Sequence, residues 1–427
     1  MTSKPFRDQR DGAPVILVLL FLGGMISYLD RTVMGVLAPM IGRDLALDPA
    51  ELGLAFSLFY VGYGMCTFLG GWAADRIGAR IVLGVSMAFW SVLCGMTGLA
   101  GGLAILLVIR FLFGAWEAPW IPASNKLLSQ IVRRERFATA FGLTSAGQPI
   151  GAALAGPIVA VAAAILGWRV AFLLVALIGL AWVAAWWQLT ARISHRPPPS
   201  GSPSPVIEQK GKTRLRDTLG QPAIIATCVS FAGANYVQTF FLMWFPSYLA
   251  AERHMATVQI GMITTIPWAM ATIGMIGGGL LSDYFARLVP RGLVARKWLM
   301  AACLLPAAAC LLLVPVVASV WTAVALMTVA VGLLFLSGPN YFAAVNQVVP
   351  REHLGSALGL LVLCSTLAGT ISPIVTGNLV KSTGTYLPAF VVAAAMISLA
   401  VAVFVGFARS PAPTVEIESV PEGSVAA

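Results

Sequence analysis

Four charged residues of this chain sit where charge is hardest to keep. Asp30 and Arg31 lie inside one long apolar stretch and Arg110 and Glu117 inside another, while the interiors of the other apolar stretches carry no charge. An ionisable group at the centre of a membrane helix costs roughly 2.5–3.5 kcal/mol on insertion scales, so such groups are rare and mark substrate or ion pathways. Glu117 follows Arg110 by seven residues, two helical turns along nearly the same face. Two segments thus each offer a carboxylate and a guanidinium. The plain alternative is a pair of structural ion pairs that neutralise each other. Buried ion pairs are poor stabilisers, and that favours a functional role.

The elements that must hold these groups follow from composition. The chain has 427 residues, 59% of them hydrophobic and 10% charged, and its mean hydropathy is +0.87. A water-soluble domain carries about 25% charged residues. A bilayer core needs about 20 apolar residues per helix, and the sequence supplies twelve such runs, near 15–40, 52–74, 81–100, 103–125, 138–164, 168–190, 221–250, 260–281, 298–317, 321–346, 355–380 and 386–408. The first is too long for a signal peptide, has Asp30-Arg31 at its middle, and is followed by no small-residue cleavage pattern. With the N-terminus inside, the two tails, the inside loops and the linker hold 21 of the 27 Lys and Arg; the outside loops hold Arg43, Arg169, Arg253 and Lys381. That bias puts both termini in the cytoplasm and explains the +10 net charge without a nucleic-acid partner. The six cysteines all fall in apolar runs without ligand-like spacing and read as packing residues, with no disulfide and no metal site implied.

Residues 191–220 interrupt the rhythm with Arg192, His195-Arg196-Pro-Pro-Pro, Gly201-Ser-Pro-Ser-Pro205, Lys210, Lys212, Arg214 and Arg216, a stretch that reads as a flexible cytoplasmic linker. The expected organisation is a six-helix bundle over 1–190, the linker over 191–220, a second six-helix bundle over 221–409 and a cytoplasmic tail over 410–427. The halves echo each other. Arg134-Glu135-Arg-Phe-Ala-Thr-Ala140-Phe-Gly142 matches Arg351-Glu352-His-Leu-Gly-Ser-Ala357-Leu-Gly359 at an offset of 217, and Gly71…Asp75 is matched more weakly by Gly279…Asp283. Duplicated bundles with a midplane site between them are how many carriers achieve alternating access. The fold class expected is an all-α membrane protein, twelve transmembrane helices in two pseudo-symmetric six-helix bundles.

After the second run stands Gly71-Trp-Ala-Ala-Asp75-Arg76-Ile-Gly78-Ala-Arg80. It closely resembles the major facilitator loop signature between helices two and three, with every position filled. Gly71 allows close helix approach, and Asp75 at a helix end can pair with a basic group or a helix N-terminus. The resemblance implies a latch that holds the cytoplasmic side shut in one state; the second copy lacks the following Arg and Gly. Arg110, Gly114 and Ala118 likewise resemble the family's fourth-helix signature. Tyr28-Leu-Asp30-Arg31, Gly114-Ala-Trp-Glu117-Ala-Pro119-Trp-Ile-Pro122-Ala and Phe240-Phe-Leu-Met-Trp244-Phe-Pro246-Ser-Tyr248-Leu are similar to the anion:cation symporters, which include bacterial sugar-acid carriers and vesicular glutamate and sialate transporters. One departure is Val132-Arg133-Arg134 before Glu135-Arg136, where the group has an aromatic-Pro pair.

By that resemblance Arg31 and Arg110 are candidates to bind a substrate carboxylate, and Asp30 and Glu117 to carry protons. A guanidinium fork matches a carboxylate bidentately, and burial brings the neutral form of a carboxyl within reach. His195, His254 and His353 all lie in loops, so a proton relay must use the two acids. The second half offers neutral polar groups in its apolar runs: Asn235, Tyr236 and Gln238, then Asn340, Tyr341 and Asn346, then Ser365, Thr366 and Ser372, with Gln148 as the first half's counterpart. Tyr28, Gln148, Tyr236, Gln238 and Asn340 join Arg31 and Arg110 as candidate substrate contacts. Such amides and hydroxyls suit the hydroxyl groups of a sugar acid, and serve equally as interhelical hydrogen bonds worth roughly 1–2 kcal/mol or less each.

Other classes fit less well. Gly211-Lys212-Thr213 resembles the end of a phosphate loop, but Val206 holds the first glycine's place and no strand precedes it. There is no His-Glu-x-x-His, nucleophile elbow or redox Cys pair, so no enzyme is expected. A proton-coupled efflux antiporter for drugs or anionic metabolites is the runner-up, on Gly142, Gly151 and Gly156-Pro157; the two intramembrane arginines argue against cationic drugs. The expectation is a monomeric bacterial inner-membrane symporter of a small carboxylate such as a sugar acid, with the proton as coupling ion and no cofactor.

Overall fold

A computed structural model describes residues 12–132, 137–191, 215–288, 292–349 and 353–408. Most of the linker, the C-terminal tail and the Arg134-Glu135 and Arg351-Glu352 ends of the internal echo lie outside the described residues. So do the side chains of Asp283 and Asn346.

A backbone in hydrocarbon must satisfy its own hydrogen bonds, and a helix does so locally. Twelve helices among the described residues are long and apolar enough to cross a membrane: span 1 (Ala13–Asp44), span 2 (Pro49–Ile77), span 3 (Ala79–Thr97), span 4 (Leu103–Ile131), span 5 (Ala140–Leu166), span 6 (Trp168–Thr190), span 7 (Pro222–Ala251), span 8 (Thr257–Leu281), span 9 (Arg296–Leu313), span 10 (Val320–Val345), span 11 (Ser356–Thr383) and span 12 (Leu387–Phe407). Several run past the apolar stretch that predicts them. Span 4 extends beyond residue 125 by breaking and restarting: its first helix ends at Glu117 and the second begins at Trp120, because Pro119 has no N–H to continue the ladder. Span 9 stops short of 317, where the Arg253 guanidinium donates to the carbonyls of Val314, Val317 and Ala318 and so takes over the helix end.

The helices pack as two copies of one plan. Span 1 lies on span 5, span 2 on span 4 and span 3 on span 6; in the second half span 7 lies on span 11, span 8 on span 10 and span 9 on span 12. The halves meet through span 2 against span 11, span 5 against span 8 and span 1 against span 7. We call the end of the bundle where span 1 begins the proximal face, and the end where it stops the distal face.

The seam between the halves is closed on the distal side. A Cβ on Gly53 would lie 2.4 Å from the carbonyl oxygen of Pro373, and one on Gly156 would lie 2.3 Å from that of Gly261. Backbones approach this closely only where side chains are absent. Gly151, from the run behind the efflux alternative, packs on the Met25 carbonyl in the same way. Ser57 donates to the Thr370 carbonyl at 2.7 Å and Thr265 to the Ala153 carbonyl at 3.0 Å. At the rim Asp48 does two jobs. It caps span 2 in a capping box with Glu51, and it pairs with Lys381 at the end of span 11 at 2.7 Å. That lysine holds the Asp48 carboxyl below its ordinary range, so the pair stays charged until the distal solution is more acidic than a free aspartate would tolerate.

Lys381→Met removes the bridge and leaves the cap. With Ser57→Cys as reporter in the buried seam, it should raise the labelling rate by an impermeant maleimide from the distal side, up to about fivefold, as suits an exposed ion pair. An unchanged rate would mean that helix packing alone holds the seam.

Candidate functional site

Below the seam, from the midplane toward the proximal face, the halves enclose a cavity of about 190 Å³. Its first-half wall is Ser27, Tyr28 and Arg31 of span 1, Tyr60 and Tyr63 of span 2, Glu117, Trp120 and Ile121 of span 4, and Gln148 of span 5. Its second-half wall includes Phe231, Asn235, Gln238 and Thr239 of span 7, Phe342 of span 10, and Ser365 and Thr366 of span 11.

The charged centre is the Arg31–Glu117 pair. Glu117 is the last residue before the break in span 4. Its Oε1 accepts from Arg31 Nη2 at 2.7 Å, from Arg31 Nε at 2.8 Å and from the Ser27 hydroxyl at 2.5 Å. Ser27 stands one helical turn before Arg31, so both donors leave the same face of span 1. Glu117 Oε2 has no protein partner. Glu117 is 1% exposed and Arg31 12%, so the guanidinium is the half of the pair that reaches the open space. It lies over the rings of Phe59 and Tyr63, each at 4.9 Å, and Tyr28 at 5.4 Å, an aromatic collar that favours a cation.

Arg110 stands behind this centre. It is buried, lies over Phe59 at 4.9 Å and Phe113 at 5.2 Å, and its Nε and Nη2 have no hydrogen-bond partner. Gly114 makes the arrangement possible. A Cβ there would lie 1.9 Å from the Phe59 carbonyl oxygen, so span 4 rests directly on the span 2 backbone and brings Arg110 to the ring that Arg31 of span 1 also covers. Asp30 takes the other direction. It accepts from Trp90 Nε1 at 3.0 Å and Cys94 Sγ at 3.7 Å, both on span 3, and does not line the cavity.

Of the neutral candidates, Tyr28, Gln148 and Gln238 line the cavity, and Gln238 Nε2 meets the Tyr28 hydroxyl across it at 3.4 Å. Asn235 donates to the Ser365 carbonyl at 2.6 Å, which leaves its own carbonyl oxygen available. Tyr236 and Asn340 stand outside the lining. Tyr236 is packed against span 11, where Ser372 donates to its carbonyl at 2.9 Å, and Asn340 bonds back to Leu336 of its own helix at 3.4 Å. Sequence reasoning missed Ser27, Tyr60, Tyr63 and Thr239. The signal for the two tyrosines was their spacing of three on an apolar helix, since a buried phenol needs a partner; Tyr60 finds Thr239 at 3.4 Å.

The loop motif keeps its contacts within the first half. Asp75 pairs with Lys126 at 2.7 Å, and Gly71 lies beside Pro122. Arg76 lies over Trp72, and Arg80 donates to Thr190 at 2.8 Å. Gly78 takes a φ of +95°, which turns the chain between spans 2 and 3. Among the described residues no group of His, Cys, Asp and Glu could hold a metal ion.

Known proteins resemble this chain over most of its length. The Major Facilitator Superfamily model matches residues 20–295 and 291–426. The chain is 38% identical to the hexuronate transporter of Bacillus subtilis (strain 168), covering 93% of this chain and 95% of that protein. It is 25% identical to the probable L-galactonate transporter of Escherichia coli (strain K12), covering 92% and 89%. A crystal structure of a bacterial homologue of the human lysosomal transporter Spinster, inward-facing and unoccupied, superposes with a TM-score of 0.77 at 19% identity, over 95% of this chain and 98% of that one.

Because the Gly114 contact is to backbone, which cannot yield, Gly114→Val should push span 2 off span 4. The expected outcome is a Tm lower by a few degrees in detergent, about what 1–3 kcal/mol of overpacking produces. An unchanged Tm would show that the two helices do not depend on this approach.

Proposed function

We propose that this chain, which belongs to the Major Facilitator Superfamily and is a multi-pass membrane transporter rather than an enzyme, carries a sugar acid together with a proton by alternating access. The observation that carries this reading is the Arg31–Glu117 pair on the wall of a midplane cavity between two bundles. A similar transporter of hexuronate makes a six-carbon sugar acid the first candidate substrate.

The geometry supplies a reason for coupling. With Glu117 ionised, its Oε1 takes two N–H groups of Arg31. A proton on Glu117 weakens that claim and frees the guanidinium for an incoming carboxylate, which it matches as a bidentate fork. Proton and anion then enter as a neutral set, and the loaded site passes the midplane with no net added charge. Arg110 serves as a fixed positive charge beside the site, and Asp30, next in sequence to Arg31 but turned toward span 3, as a second proton carrier. The substrate's hydroxyl groups meet Gln148, Gln238, Asn235 and the tyrosines of the collar. A cavity on the proximal side below a closed distal seam is the arrangement that releases substrate proximally. The basic-residue bias supports a cytoplasmic reading of that face, in a bacterial inner membrane. In the opposite state the Gly71–Arg80 loop closes the proximal side, where Asp75 exchanges its Lys126 contact for one across the halves.

Uptake of labelled hexuronates, aldonates and aldarates into proteoliposomes under an imposed pH gradient tests the proposal. One acid should accumulate and be lost on adding a protonophore; drug-stimulated proton leak with no acid uptake would favour efflux instead. Glu117→Gln should abolish proton-driven accumulation while substrate exchange persists, and normal accumulation would remove Glu117 from coupling. Arg31→Gln should raise KM by at least about tenfold, the scale of losing a charge-assisted hydrogen bond. An unchanged KM would place the carboxylate elsewhere.

A further inference from the structure

Asp30 is buried and turned from the cavity, yet it is not isolated from it. Its Oδ2 accepts from the indole N–H of Trp90 at 3.0 Å, and Trp90 is fully buried. The Trp90 ring meets Trp120 edge-on, with centroids 5.5 Å apart and planes at 78°. Trp120 lines the cavity and rests on span 1 where Gly23 leaves room: a Cβ at Gly23 would lie 2.1 Å from the indole edge. One rigid pair of indoles thus joins the carboxyl of Asp30 to the cavity wall.

The chemistry of the bond is one-sided. An indole N–H donates and never accepts, and a hydrogen bond to a carboxylate is stronger than one to a carboxylic acid. Trp90 therefore favours the charged form of Asp30. Cys94 adds a weak donor at 3.7 Å to Oδ1. The other charged groups acting on Asp30 are Glu117 and Arg110 of span 4; its sequence neighbour Arg31 faces the cavity instead. Spans 2, 5, 6, 7 and 8, which also touch span 1, present no Asp, Glu, Lys, Arg or His at this depth.

We propose that Trp90 is a positioning residue for proton coupling: its N–H holds the Asp30 carboxylate against span 3, and its edge contact with Trp120 ties the readiness of Asp30 to take a proton to what occupies the cavity. This rests on the reading of Asp30 as a proton carrier given above.

The test is the pH profile of uptake in proteoliposomes, with substrate exchange measured in the same vesicles. Trp90→Phe keeps a ring and removes the N–H; the midpoint of the profile should move to higher pH by about one unit, the size of a hydrogen bond to a charged group, while exchange persists. Cys94→Ser replaces a weak donor with a strong one in nearly the same volume, and should move the midpoint to lower pH. If Trp90→Phe does not fold, as judged by size-exclusion profile, Cys94→Ser decides by the sign of its shift. Midpoints unmoved in variants that still exchange, or a Cys94→Ser shift upward, overturn the inference alone. Wild-type uptake with no pH dependence overturns the proton reading and this inference with it.

Discussion

The constraint on which this structure turns is the cost of keeping an ion pair inside a membrane. Moving a carboxylate and a guanidinium out of water costs several kcal/mol each even after relaxation. At the midplane this is offset only while Arg31 and Glu117 stay together and are further held by Ser27 and the aromatic collar. Taking either partner's counter-charge away leaves the other exposed to that penalty. In the proposed cycle this is what forbids a lone proton or a lone anion from completing the passage. Coupling at this pair then follows from electrostatics in a poor dielectric.

The rest of the fold serves that pair. Gly114 removes the side chain that would keep span 4 from span 2, and so holds Arg110 over the Phe59 ring that Arg31 shares. The break at Pro119 ends a helix at Glu117 and leaves the carboxyl at an edge rather than in the middle of a ladder. Glycine seams at Gly53 and Gly156 hold the distal side shut through backbone contact, an arrangement that can separate without extracting interlocked side chains. A rim ion pair that water can replace, such as Asp48–Lys381, suits a seam that has to part.

Much of this was legible in the sequence because membranes impose strong patterns. Twelve apolar runs, the internal echo and the filled loop motif pointed to the fold, and four intramembrane charges pointed to the site. What was less legible was direction. Asp30 and Arg31 are neighbours, yet successive helical residues diverge by about 100°; Arg31 faces the cavity while Asp30 faces span 3. Arg110 and Glu117 share a face, but depth along the axis separates them, and Phe59 stands beside Arg110. Tyr60 and Tyr63 went unremarked, because their spacing of three puts two phenols on one side of an apolar helix without saying whether that side meets a cavity or a neighbour. Asn340 and Tyr236, polar residues in the second half, are buried away from the cavity lining, Asn340 bonding back to its own helix and Tyr236 packed against span 11.

The two walls of the cavity are unlike. All its charge stands on the first bundle, while the second contributes amides, hydroxyls and phenyl rings. A carrier divided in this way has separated its engine from its lock. In the proposed cycle, substitutions at Asn235, Gln238, Thr239 or Ser365 would reshape what fits without disturbing the electrostatics that drive it. Over evolutionary time such a chain is free to wander among related cargoes by small neutral changes on one side, with the energetics handed down intact on the other.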